Sequence, residues 1–179
     1  FKLFRNFLSL EKFYFFSKDI QRYILAICLI STFIGLWLGL FVAPADYQQG
    51  EAFRIIYVHV PSAWMSLFVY MYMTVAAIVS LIWRLKIAEI GLRSAGPIGM
   101  CFTAIALVTG SIWGKPMWGT WWVWDARLTS ELILLFIYIG IIGLIDAPRD
   151  PRTGAKVGAV MTIIGAVNIP IIHFSVEWW

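Results

Sequence analysis

The stretch PSAWMSLFVYMYMTVAAIVSLIW, residues 61–83, runs for 23 residues without one charged side chain. A helix rises 1.5 Å per residue, so about 20 consecutive apolar residues cross the hydrocarbon layer of a bilayer. Working outward from Pro61–Trp83, four further segments meet the same criterion: Tyr23–Ala43, Ser94–Trp113, Leu128–Ile145 and Val157–Val176. Composition agrees with this reading. The 179 residues are 61% hydrophobic and 13% charged, whereas a soluble domain carries about 25% charge. A water-soluble fold of this size cannot hide so much apolar surface, because much of its chain must face solvent. The expected fold is therefore all-α: a polytopic membrane helix bundle, residues 1–179 forming one integral membrane domain in the lipid bilayer. No nucleic-acid partner is indicated.

The connectors set an expected orientation. Lys2, Arg5, Lys12, Lys18 and Arg22 precede the first span, Arg84, Lys86 and Arg93 follow the second, and Arg149, Arg152 and Lys156 follow the fourth. These regions alternate onto one face, and only Arg54, Lys115 and Arg127 fall on the other. The positive-inside bias puts the rich face, and the N-terminus, in the cytoplasm. The basic start runs into an apolar segment too long for a signal-peptide core, with no small-residue cleavage site, so no cleavable leader is expected. The chain starts at Phe1 rather than Met and stops at HFSVEWW without a polar tail, so further residues, including a span beyond Trp179, are expected. Cys28 and Cys101 form no CxxC pair and read as small buried apolar residues. Gly35 and Gly39 form a GxxxG, either a close helix contact or chance.

The outer connector between the third and fourth spans lies in GKPMWGTWWVWDARLTSE, residues 114–131. Trp118, Trp121, Trp122 and Trp124 crowd together there, with Trp113 just before them and Asp125 and Arg127 just after. An interfacial aromatic belt is one reading, but Trp83 is the only tryptophan near the inner interface. If the connector is a short amphipathic helix, Trp118, Trp121, Trp122 and Asp125 share one face, a shelf of indoles suited to a large planar apolar ligand. His59 and His173 are the only histidines. Both are placed by the topology at the depth of that shelf, joined from the outer side by Trp178 and Trp179. They read either as satisfied interfacial side chains or as a pair of metal ligands. No thiolate or carboxylate cluster accompanies them to complete a zinc site. Two imidazoles suffice when a macrocycle supplies the other four ligands, which points to haem. Pro61 is expected as the first helical residue, with His59 just ahead of the positive end of the helix. Pro170 is expected to kink the fifth span and aim His173 inward. Arg54 and Arg127 are candidates for the haem propionates. Their alternative is loop salt bridges, Arg127 with Asp125 and Arg54 with Glu51. Asp125 is also placed to cap the fourth span, while Asp46 and Glu51 have no clear role.

WGKPMWGTWWVWDARLTSE resembles the tryptophan-rich WWD signature of the haem-handling proteins of cytochrome c biogenesis. APADYQQG (43–50), RIIYVHVPSAW (54–64) and NIPIIHFSVEWW (168–179) narrow the resemblance to the CcmC, or haem exporter protein C, family. It runs from about residue 40 to the end. The resemblance implies a bacterial inner-membrane protein of six spans with the WWD segment in the periplasm. It implies that His59 and His173 are the axial ligands of non-covalent haem b, and that haem is presented to the haem chaperone CcmE. It further implies association with CcmA, CcmB and CcmD, and a lyase-like role in loading CcmE.

Two other functions compete. A permease subunit moving haem or another small molecule needs polar side chains along a path through the bilayer, and the spans read as apolar apart from Ser, Thr and Asn168. A membrane electron-transfer cytochrome uses paired histidines too, but inside the bundle rather than at its outer edge. A purely structural assembly subunit with an aromatic belt is the third reading. ATP hydrolysis is not expected: GSIWGK (110–115) has one residue too few for a phosphate loop and lies on the outer face.

Overall fold

The computed structural model describes residues 9–178, with side chains as far as Ser175. Helix α1 spans Leu10–Trp37 and widens into a π-helical turn over Leu38–Val42. A 3-10 turn over Glu51–Ile55 leads into α2, Ile56–Trp83. Helices α3 (Lys86–Trp118), α4 (Ala126–Asp146), α5 (Pro151–Gly165) and α6 (Asn168–Trp178) follow. Five stretches are long and apolar enough to cross a membrane: Leu10–Val42, Glu51–Trp83, Lys86–Trp118, Ala126–Asp146 and Pro151–Ser175. The expected five-span all-α bundle is the fold observed. The helices overrun the apolar segments, because flanking residues such as Lys12, Arg22 and Lys86 are themselves good helix formers.

Helices α2 and α3 pack along most of their length, α4 packs on α3 and α5, and α5 closes back on α2. The core between them is built from Tyr70, Met73, Leu92, Leu134, Tyr138 and Ile141. With no water in hydrocarbon, each buried hydroxyl needs a protein acceptor. Tyr138 Oη donates to the Ser66 carbonyl at 2.7 Å and Tyr70 Oη to the Thr162 carbonyl at 3.0 Å. The two rings meet edge to face, 5.2 Å between centroids. Glycine at 99 is required for this packing, since a Cβ there would run into the Tyr138 ring.

The fifth span is interrupted at Ala166–Val167, where α5 gives way to α6. Pro170 has no N–H to offer the Ala166 carbonyl, which accepts instead from Ile169 N at 3.1 Å. This is the break anticipated from Pro170, but it does not aim His173 inward: the ring is exposed, because it projects from the outer side of the short helix that follows. Asn168 Nδ2 donates to the Ser130 carbonyl at 3.0 Å and pins the start of α6 to α4.

Helix α1 lies at the margin, with few contacts to α2, and none of its residues is buried. Two expectations change accordingly. Cys28 and Cys101 are exposed, not buried; in a bilayer an apolar side chain gains little by turning inward, because lipid tails are as apolar as the core. Of the glycine pair, Gly39 packs against Tyr57 while Gly35 faces open space.

Candidate functional site: an imidazole and a tryptophan loop at one end of the bundle

His59 is the fourth residue of α2, not a residue ahead of it. The expected start at Pro61 is displaced because the 3-10 turn from Glu51 feeds directly into the helix. Proline at this position costs one N–H bond, while the Ser62 hydroxyl donates to the nearby Val58 carbonyl at 2.7 Å. His59 remains in the first turn, at the positive end of the helix. Its Nδ1 lies 3.0 Å from the Ala106 carbonyl and 3.1 Å from Thr109 Oγ1, both on α3. A carbonyl only accepts, so Nδ1 carries the hydrogen and the lone pair resides on Nε2. Gly110 permits this approach: a Cβ there would stand 3.1 Å from His59 Cε1.

Trp113 meets the imidazole edge to face, with centroids 5.7 Å apart. Its Nε1 donates to Gln49 Oε1 at 2.9 Å. Gln49 sits in a turn held by Asp46, whose Oδ1 accepts from the N–H groups of Gln48 (2.9 Å) and Gln49 (2.8 Å). Asp46, without a role in the sequence, thus orders the loop that steadies Trp113.

The tryptophan connector is not helical. Gly119, at φ +76°, ends α3 in the left-handed conformation, and residues 119–125 form bends and extended chain. The shelf built on helical spacing is therefore not formed. Trp118, Trp121 and Trp124 are exposed, Trp122 is half-buried, and Trp122 meets Trp124 edge to face at 5.4 Å. Lys115 Nζ stands over Trp121 (5.9 Å) and the Arg127 guanidinium over Trp118 (5.7 Å). Trp118, Val123, Trp124, Asp125 and Arg127 line a cleft of about 280 Å³.

Both arginines have acidic partners. Arg127 Nε (3.1 Å) and Nη2 (2.8 Å) both donate to Asp125 Oδ2. Asp125 Oδ1 accepts from Leu128 N at 2.8 Å, the cap of α4 anticipated from sequence. Arg54 pairs with Glu51 and donates through Nη1 to the Leu40 carbonyl at 3.1 Å, tying the 3-10 turn to the end of α1.

His173 lies on α6, exposed, with its ring against Phe174. Asn168 marks the level of Ser130, and five helical residues carry His173 about 7.5 Å further towards the end where α4 begins. His59 stands beside Gly110, which itself lies against Leu128. The two histidines therefore share one end of the bundle. No hydrogen bond or ring contact joins them among the described residues. The structure brings His59 together with Trp113, while the ring contact of His173 is with its neighbour Phe174. Trp179 and the side chain of Trp178 lie outside the described residues.

Sequence reading missed Glu131. It is a buried carboxyl inside α4, accepting from Ser66 Oγ at 2.9 Å. The signal was present: it is the only charged residue between Arg127 and Asp146, and an ionisable residue within a span is by default worth explaining. The spans are thus not apolar apart from Ser, Thr and Asn168. No group of three or more His, Cys, Asp or Glu side chains able to hold a metal occurs among the described residues.

These features define a class: a polytopic helical membrane protein that gathers an oriented imidazole and a tryptophan-rich loop at one end. The family model described as CcmC, heme exporter protein C, matches residues 3–179. The chain is 57% identical over 146 residues to Heme exporter protein C of Escherichia coli strain K12, covering 82% of this chain and 60% of that protein. It is 51% identical over 152 residues to Heme exporter protein C of Bradyrhizobium diazoefficiens (83% and 58%). It is 47% identical over 169 residues to a putative cytochrome c biosynthesis ccmC-like mitochondrial protein of Marchantia polymorpha (93% and 72%). The chain belongs to the CcmC family. It spans about 60% of the length of the Escherichia coli relative it matches.

Proposed function

We propose that this protein binds haem as cargo at the end of the bundle carrying His59 and the tryptophan loop, and presents it to the periplasmic chaperone CcmE during c-type cytochrome maturation. One observation carries the reading: the Ala106 carbonyl holds Nδ1 of His59, leaving Nε2 as a neutral, oriented donor. A hydrogen bond from the far ring nitrogen to a carbonyl fixes the tautomer and ring angle of a histidine ligand. The donor set fits an iron whose remaining ligands come from a macrocycle, since no three-ligand protein cluster stands nearby among the described residues. His173 is assigned as the second axial ligand.

Exposed indoles of Trp118, Trp121 and Trp124 offer flat apolar faces for a porphyrin, with Trp122 and Trp113 behind them. Arg127 keeps Nη1 and Arg54 keeps Nη2 beyond their bonds to acidic partners, so each can still reach a propionate. Haem b, held without a covalent bond, is the proposed form. The positive-inside count supports a site on the periplasmic side of the bacterial inner membrane, and the proposed assembly is a complex with CcmA, CcmB and CcmD. The role is presentation, and any lyase-like bond formation draws on haem and its acceptor. The names of the relatives support the haem reading over a structural subunit with an aromatic belt. Buried polar groups of the spans, Glu131 included, are bonded to a neighbouring hydroxyl or to backbone carbonyls within the bundle, which favours presentation over a permease.

The test is an absorption spectrum of the purified, haem-loaded protein beside His59→Ala and His173→Ala. A six-coordinate signal that weakens or shifts in each variant is expected. A spectrum unaltered in both would remove the axial assignment.

A further inference from the structure

At the end of the bundle away from His59, where α2 turns into α3, a recess of about 360 Å³ opens. Arg84 and Lys86 from one connector and Arg152 and Lys156 from another line it together, with Glu89 as the carboxylate. Glu89 is already engaged by Lys86 at 3.0 Å. Among the described residues no ion pair involves Arg84, Arg152 or Lys156. Arg152 also lies within the field of Asp150 at the start of α5, yet cations gathered in one cavity repel each other unless an anion joins them. The start of α3 adds its positive end, for its N-cap, Leu85, has no side-chain acceptor to cap it.

Arg84 supplies a separate sign. It is the one non-glycine residue with positive φ (51°) among the described residues. Glycine is the usual occupant of this left-handed position after a helix. An arginine that accepts the strain points to a use for its side chain. Ile82, Trp83 and Ile90, adjacent in sequence to lining residues Leu81, Arg84 and Glu89, are exposed at the end of a span. An anion arriving here with an acyl chain finds somewhere to lay it.

We propose that this recess binds the phosphate of an anionic phospholipid headgroup, with Arg84, Arg152 and Lys156 as its ligands. The full chain, purified in neutral detergent, is equilibrated with equal amounts of phosphatidylglycerol and phosphatidylcholine, and retained lipid is counted by native mass spectrometry. Wild type should favour phosphatidylglycerol by at least about tenfold, since cations near a headgroup select its net negative charge. The variant Arg84→Gly/Arg152→Gln/Lys156→Gln should retain both lipids equally. Arg84→Gly alone relieves the backbone and should keep the thermal midpoint while losing part of the preference, which separates binding from folding. No preference in wild type, or a preference that survives in the triple variant, overturns the site. Displacement of the lipid by inorganic phosphate at equal concentration overturns the lipid as its source.

Discussion

The Ser66 hydroxyl donates to the Glu131 carboxyl across the α2–α4 contact at 2.9 Å, and the Ser66 carbonyl accepts from Tyr138 Oη at 2.7 Å. One residue thereby joins two buried polar side chains of α4 to α2. Removing the hydroxyl leaves the carboxyl short of a donor where water is scarce. Ser66→Ala should cost about 1–3 kcal/mol, read as a lower thermal midpoint in detergent. Glu131→Gln keeps an acceptor for Ser66 and should cost less. A Ser66→Ala midpoint equal to wild type would show that the bond contributes nothing.

Gly110 decides how closely the His59 imidazole lies against α3. A methyl group there would stand 3.1 Å from Cε1 and 3.5 Å from Nδ1, so the ring is pushed by a few tenths of an ångström from the position that bonds Ala106. Gly110→Ala should lower retained haem several-fold in the purified protein. Gly143→Ala is the control, because its methyl meets open space. Helix propensity alone would stabilise either variant by about 1 kcal/mol, so a fall in haem confined to Gly110→Ala isolates the geometry.

Asp125 has two duties, one per oxygen: a cap on α4 and a partner for Arg127. Asp125→Ala loses both, and the cap alone is worth about 1 kcal/mol. Asp125→Asn can keep the cap and loses the charge pair, which at a half-exposed site contributes about 0–1 kcal/mol. The alanine variant should therefore melt lower than the asparagine variant. Equal midpoints would mean that the cap is not formed.

Asp150 starts α5, and the Thr153 hydroxyl, the Thr153 N–H and the Arg152 N–H hold its carboxyl below the usual carboxylate range. A depressed folded-state pKa stabilises the fold above the unfolded value, and that stabilisation fades as pH falls through the folded value. Asp150→Asn should flatten this acid-side decline in thermal stability measured against pH. A wild-type profile indistinguishable from the variant's on the acid side would exclude the linkage.

Much of the architecture was legible from local pattern. Apolar runs long enough to span a bilayer marked all five crossings, Pro170 marked the break in the last one, and Asp125 marked a helix start. Each of these is a property of a few neighbouring residues and follows from helix rise, a missing N–H or a short acceptor side chain. The pairing of Arg127 with Asp125 was visible for the same reason, as the partners are two positions apart.

What tertiary structure alone decided involves residues far apart in the chain. Ala106 and Gly110 are helical residues of no evident distinction until α3 lies against α2 and sets the tautomer of His59. Gln49 and Asp46 acquire a purpose only beside Trp113. The helical shelf failed because Gly119 takes a left-handed turn, one dihedral that redirects every indole after it. Four cations from two connectors became a recess only when α5 closed on α2. Hydropathy and propensity are sums over adjacent residues and survive in the sequence, whereas a ring orientation or a charge cluster depends on which helices meet, and at what register.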